Sequence, residues 1–180
     1  MAENVTFEAA HRFVEKWEGG WSDDAKDPGG ATKYGVSLRF LRSEGIDIDG
    51  DGDVDVDDVR AVTKVKAKEI FRKYFWPDDF EKLSQTHPRL AFAAYDTAVN
   101  MGLGWAKRFI QRAVGTKEDG VFGPLTWGAI KESSDFIAAC YLIDFRRARY
   151  EYLVKQNPDL KDFLRGWMNR ANALLVEVSK

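Results

Sequence analysis

Residues 17–37 read WEGGWSDDAKDPGGATKYGVS, and the interpretation of the whole chain turns on this stretch. It sets a carboxylate, Glu18, at the end of an amphipathic segment, beside Gly19, Gly20 and the tryptophans Trp17 and Trp21. An Asp-Pro-Gly-Gly turn then leads to Thr32 and Tyr34. Glycines at this density let main chain approach a ligand closely, because no Cβ intervenes. A glutamate among aromatic rings, at the negative end of a helix dipole, has surroundings suited to a general acid. The competing reading is a helix C-cap followed by a surface loop, with Gly19 in the left-handed position. Local sequence supports both.

On the N-terminal side, Ala10, Phe13, Val14 and Trp17 share one helical face, so a helix delivers Glu18 to the loop. On the C-terminal side, residues 35–44 predict a short helix capped by Ser37, with Leu38 and Leu41 inward. Next comes IDIDGDGDVDVDDV, residues 46–59. Asp47, Asp49 and Asp51 take the first, third and fifth places of a calcium loop, and Gly52 the sixth, where the chain must turn sharply. Asp53 offers its carbonyl, Asp55 a direct or water-borne contact, and Asp58 closes the loop in place of the usual glutamate. So many carboxylates in one loop repel one another without a counter-cation. A structural Ca2+ is therefore expected, with no cofactor needed for any chemistry at Glu18.

Beyond the loop, Thr63 starts a helix with Val65, Ile70, Phe71 and Tyr74 inward, ended by Trp76-Pro77. Residues 78–88 are polar and read as a connection. Residues 89–101 form a strongly apolar helix, on which Asp96 and Asn100 share a face one turn apart; they either support the cleft, the favoured reading, or tie the loop to the helix. Gly102-Leu103-Gly104 breaks it, and residues 105–114 form another helix. Turn signals at Asp119-Gly120 and Gly123-Pro124 precede a further helix. Residues 134–155 read as a long helix presenting Ile137, Tyr141, Phe145 and Tyr152, and residues 159–178 as a last one with Leu164, Trp167, Leu174 and Val178. No segment shows a strand pattern. The predicted fold is mainly α.

Composition is that of a soluble globular chain, with 44% hydrophobic and 31% charged residues in 180. A net charge of −2 gives no bulk attraction for nucleic acid or anionic membrane. Cys140 is the single cysteine and lies in an apolar run, which predicts a buried thiol and excludes an internal disulfide. His11 and His87 lack metal-type spacing and read as structural or surface residues. No apolar run is long enough to span a membrane, and MAENVTFEAAHRF lacks a signal-peptide core. Synthesis in the cytoplasm is expected.

Three blocks together resemble the glycoside hydrolase family 108 lysozymes and their C-terminal peptidoglycan-binding-like half. They are EGGWSDDAKDPGGATKYGVS, VDDVRAVTKVKAKEIFRKYFW, and AYDTAVNMG with DGVFGPLTWGAI, in order along nearly the whole chain. The DIDGDGDVD segment is an addition to the family pattern. The resemblance implies a two-lobed, lysozyme-like helical fold. Residues 1–88 would be the catalytic lobe, with the calcium loop at 47–58, and residues 89–180 a helical peptidoglycan-binding-like lobe packed on it. It also implies N-acetylmuramidase activity, cleaving the β-1,4 bond between N-acetylmuramic acid and N-acetylglucosamine. Glu18 takes the catalytic position, with Asp27 and Thr32 as its partners and Asp23 and Asp24 as rivals for the second carboxylate. Trp21, Tyr34 and Asn100 become candidate substrate contacts. The implied partner is peptidoglycan, met by a monomer in the periplasm after release through a holin or a secretion system. Phage or prophage lysis and wall opening for secretion are both consistent with it. Competing readings are a lytic transglycosylase and a non-catalytic, calcium-dependent wall-binding module.

Overall fold

The computed structural model describes residues 7–22 and 30–180, which are mainly helical. Contacts group them into two compact units. One is His11–Tyr74. The other holds Phe75–Lys180 together with the start of the first helix, through Ala10.

Within His11–Tyr74, helix α1 (Phe7–Trp17) buries Phe13 and Val14, as the apolar spacing predicts. The expectation of no strand is corrected here. Strands β1 (Trp21–Ser22), β2 (Thr32–Lys33) and β3 (Val36–Ser37) form a small antiparallel sheet in that order. Its register pairs Trp21 with Lys33, Ser22 with Thr32, Thr32 with Ser37 and Lys33 with Val36. Strands of two residues are too short for alternating polarity to register in sequence. The β2–β3 turn is Tyr34-Gly35, with φ of 51° and 79°. Positive φ at both central residues is the type I′ geometry, whose twist matches that of the flanking strands.

Helix α2 (Leu38–Glu44) starts at Ser37, whose Oγ accepts a hydrogen bond from the Phe40 N–H at 3.2 Å. Helix α3 (Val56–Ala61) starts at Asp55, and α4 (Lys64–Phe75) at Thr63, whose Oγ1 accepts from the Lys66 N–H at 3.1 Å. Ala67, Ile70 and Phe71 of α4 are buried, but Val65 is 69% exposed and does not face in. It precedes Ile70 by five residues, about 140° round a helix.

In the other unit, residues 78–84 are not a connection but helix α5 (Asp78–Ser84). Asp78, Asp79 and Glu81 complement the positive end of its dipole, while Phe80 and Leu83 are buried on one side. Helix α6 (Pro88–Met101) is the centre, with every residue from Leu90 to Ala98 buried. Around it pack α5, α7 (Leu103–Ala113), α9 (Asp135–Gln156) and α10 (Lys161–Val178). Helix α8 (Pro124–Glu132) follows a loop pinned by buried Gln111, whose amide donates to Asp119 at 2.8 Å and accepts from the Gly120 N–H at 2.7 Å. Asp135 at the head of α9 accepts from the N–H groups of Arg89 and Leu90, capping α6. On α9 the predicted face is wrong: Ile137, Tyr141 and Tyr152 are exposed, while Leu142, Ile143 and Tyr150 are buried. Apolar residues occur all round this helix, so periodicity alone cannot choose a side. His11 and His87 are buried, which favours the structural over the surface reading, whereas Cys140, expected to be buried, is only half-buried.

Asp96 is fully buried on α6 and receives two guanidinium groups. Arg146 of α9 donates through Nη1, and Arg170 of α10 through Nη2 at 2.7 Å and Nε at 2.9 Å. Burial alone would push the Asp96 carboxyl up, but the two cations outweigh it and hold it below the usual carboxylate range. The pair thus joins α6, α9 and α10, rather than serving only as the expected support for a cleft. Asp96→Ala should destabilise the protein by about 3–5 kcal/mol in urea denaturation, because two buried cations lose their counter-charge. Since the folded pKa lies below the unfolded one, the contribution is complete above about pH 4 and is lost as pH falls through the folded value. Melting curves for the two proteins should therefore converge toward acid pH.

Candidate functional site

The Glu18 N–H still bonds to the Val14 carbonyl at 3.0 Å, so Glu18 is held at the C-terminal end of α1 as the helix opens into the loop. A helix end does place the carboxylate in a cleft, but Gly19 is not in the left-handed conformation that the capping reading expects. That cleft is a cavity of about 620 Å³ within His11–Tyr74, lined by Glu18, Gly19, Gly20, Tyr34, Ala67 and Phe71 among others. Its rim carries the cations Arg12, Lys16 and Lys64 alongside Glu15.

One side of the Glu18 side chain is closed by main chain. A Cβ built on Gly35 would stand 2.7 Å from Glu18 Oε2, 2.9 Å from its Cγ and 2.9 Å from Phe71 Cζ. The Glu18 carboxyl thus rests against the turn backbone, where only glycine fits. Tyr34 reaches the cleft from the left-handed region, a conformation that costs a non-glycine residue energy and is held by the hairpin around it. The Lys33 and Lys64 ammonium groups lie 5.7 and 5.8 Å from its ring centroid. Lys33 also donates to the Arg60 carbonyl.

The other candidates are distributed as follows. Thr32 lies on β2, two residues before Tyr34, and its Oγ1 donates to the Gly30 carbonyl at 3.2 Å. Trp21 is 44% exposed, with the Arg60 guanidinium 5.6 Å from its ring, and Trp17 packs on Phe13. Neither Thr32 nor Trp21 is among the described residues lining the Glu18 cavity. Asp27, Asp23 and Asp24 lie outside the described residues. Asn100 belongs to the other unit, where its Oδ1 accepts a hydrogen bond from the Tyr150 hydroxyl at 2.6 Å. Sequence reasoning missed Gly35, Arg12, Lys16 and Lys64. The four-residue spacing of Arg12 and Lys16 puts them on one helical face, but such a pair is indistinguishable in sequence from a solvated surface.

The aspartate loop is ordered by its own carboxylates. Asp47 accepts from the N–H groups of Gly50 at 2.6 Å and Gly52 at 2.9 Å. Asp58, 1% exposed, accepts from the N–H groups of Ile48, Asp49 and Asp55. Burial pushes the Asp58 carboxyl up, but these hydrogen bonds outweigh it and hold the group below the usual range. Asp53 is pushed up, chiefly by the charge of Asp51. Carboxylate oxygens of Asp47, Asp49 and Asp58 lie within 4.8 Å of one another, as do those of Asp53, Asp55 and Asp58. Asp51 is in neither group.

The sequence profile of the glycosyl hydrolase 108 family matches residues 11–102, just over half of the chain. A second profile, described as a predicted peptidoglycan domain, matches residues 105–172. No curated protein matches the chain. Among solved structures, that of SagA from Brucella abortus aligns with a TM-score of 0.78 and 30% sequence identity. The alignment covers 96% of this chain and 92% of SagA.

The glycines at the cleft give a matched test. Gly35→Ala must displace Glu18 or Phe71 and adopt an unfavourable φ, whereas a Cβ on Gly20 meets nothing within 4 Å. Wall-clearing rates should fall by about 100-fold for Gly35→Ala, the cost of shifting a reacting group by about 1 Å. Gly20→Ala should stay near the rate of the unaltered protein, and circular dichroism should show both variants folded.

Proposed function

The chain belongs to the glycosyl hydrolase 108 family, and from that premise we propose that it is an N-acetylmuramidase with Glu18 as its general acid. The hydrolase match and the peptidoglycan domain together make it a peptidoglycan hydrolase. The observation that carries the finer reading is the position of Glu18, on a helix end, inside a cavity, against the Gly35 main chain.

In this mechanism Glu18 donates its proton to the glycosidic oxygen as the bond breaks, and the sugar passes through an oxocarbenium-like state. A second carboxylate, assigned to Asp27, stabilises that charge or activates the incoming water, and Thr32 orients the water. Tyr34 offers a ring face to the sugar. Arg12, Lys16 and Lys64 at the rim suit a substrate that carries carboxylates as well as hydroxyls. Host lysis and wall opening for secretion would draw on this same bond cleavage.

Glu18→Gln should lower wall clearing by about 10²–10⁴-fold, the typical share of a general acid, without changing the melting temperature. Mass spectrometry of the released muropeptides tests the reaction type. Hydrolysis leaves reducing ends carrying the elements of water, and anhydro ends would instead assign a transglycosylase. Full clearing by Glu18→Gln would remove Glu18 from the chemistry.

We also propose that the loop at 47–58 takes a structural Ca2+, with the carboxylates of Asp47, Asp49, Asp51 and Asp58 and the Asp53 carbonyl as ligands. Support comes from the convergence of oxygens on Asp58 and from the mutual repulsion felt at Asp53. Ca2+ at about 100 times its dissociation constant should add about 2.7 kcal/mol of stability. Chelation should reverse this in a thermal melt, and Asp47→Asn should abolish the response.

A further inference from the structure

A separate cavity, about 180 Å³, lies wholly within the unit that holds Phe75–Lys180. Its walls include Asn100 from the end of α6, Trp105 from α7, Arg149 and Tyr150 from α9, and Trp167 from α10. Asn100 falls in the hydrolase match and the other four in the peptidoglycan-domain match. One compact unit therefore builds the cavity from both.

Arg149 is the unusual member. Its guanidinium carbon sits 3.5 Å from the Trp105 ring centroid, a close stack. Burial pulls its pKa below the ordinary arginine value. No carboxylate among the described residues pairs with it. Neighbouring cations of the same unit do have partners: Arg146 and Arg170 bind Asp96, Arg147 binds Asp144, and Lys107 binds Asp79. A partly desolvated cation without a counter-charge is unfavourable unless a ligand supplies one.

Asn100 adds directed donors. Arg146 Nε donates to the Tyr150 hydroxyl at 2.6 Å, so that hydroxyl must give its own proton to Asn100 Oδ1, also at 2.6 Å. With its oxygen engaged, the Asn100 amide nitrogen keeps two N–H donors that have no partner among the described residues. Trp167 stacks on Tyr150 at 5.0 Å and 24°, which gives the cavity a flat apolar wall. A planar fork of donors, an amide N–H pair and aromatic faces together match a carboxylate on a partly apolar group.

We propose that this cavity binds a free carboxylate of peptidoglycan, giving the enzyme a contact with the polymer at residues other than those of the Glu18 cleft. The inference rests on peptidoglycan being the substrate. In the polymer, such carboxylates belong to the stem peptides, and where a stem peptide has been removed, to the lactyl group of the sugar.

The test measures binding in the Glu18→Gln protein, so that cleavage does not interfere. Arg149→Gln and, separately, Asn100→Asp are added to it. Asn100→Asp retains an acceptor for Tyr150 while placing a like charge beside the ligand. Pull-down isotherms are recorded on intact sacculi, on sacculi stripped of stem peptides by an amidase, and on chitin, which carries no carboxylate. Each variant should lose about tenfold in affinity, the effect of one charge-assisted contact. Loss on intact sacculi alone assigns the stem-peptide carboxylate, loss on the stripped material alone assigns the lactyl carboxylate that the amidase frees, and loss on both shows that the cavity takes either. Unchanged affinity on both sacculi, or an equal loss on chitin, overturns the proposal. If the unaltered enzyme fails to clear sacculi, the mechanism at Glu18 falls, but the binding result still decides the role of Arg149.

Discussion

The fully buried Asp96 constrains the larger unit more than any apolar contact does. A carboxylate at the centre of a helix whose residues Leu90–Ala98 are all buried is tolerable only with its two guanidinium partners. Those partners come from α9 and α10, so charge neutralisation dictates how three helices meet. The interior also holds more cation than anion at this point, and Arg146 Nη2 has no hydrogen-bond partner among the described residues. Arg146 passes its influence outward through the Tyr150 hydroxyl to Asn100. Burial pushes the Tyr150 phenol above its usual pKa, although Arg146 acts against this, so the phenol stays neutral and remains a donor. Packing and pocket chemistry are thus consequences of one buried charge.

The Glu18 cleft follows a different logic. A two-residue turn shapes it on the side of the Glu18 carboxyl. Because Tyr34 and Gly35 both have positive φ, the hairpin turns tightly enough to bring main chain against the Glu18 carboxyl. The same turn projects Tyr34 into the cavity. Position of the acid and position of the aromatic wall are therefore coupled through two adjacent residues.

Much of this was readable from the residues. Helix ends announced themselves at Ser37 and Thr63, because a short hydroxyl before an apolar-periodic run satisfies free N–H groups. Glu18 stood out because carboxylate, glycine and tryptophan rarely coincide without reason. What sequence concealed was mostly tertiary. The strands at Trp21, Thr32 and Val36 are too short to carry a period. Helix α5 looked like a linker because its acidic first turn reads as solvent-facing loop. On α9, exposed Tyr141 and buried Tyr150 are equally apolar letters, and only the neighbours decide between them. The hydrogen bond that Asn100 accepts comes from Tyr150, fifty residues away on α9, and no local pattern reveals such a partner.

Helix α1 contains a feature with practical weight. Its first residues, through Ala10, belong with Phe75–Lys180, and the remainder belongs with His11–Tyr74. Phe7 packs edge-on against Trp76 and Tyr95 at 5.7 and 5.5 Å, so the chain's early residues are core of the later unit. In sequence, the unit His11–Tyr74 is an insertion within the other. Recombining the two units by splicing at a single junction would sever α1 and remove an aromatic from the interior of the unit that holds Phe75–Lys180. Chimeras of such enzymes would need two junctions, or would need to carry the first helix with both parts.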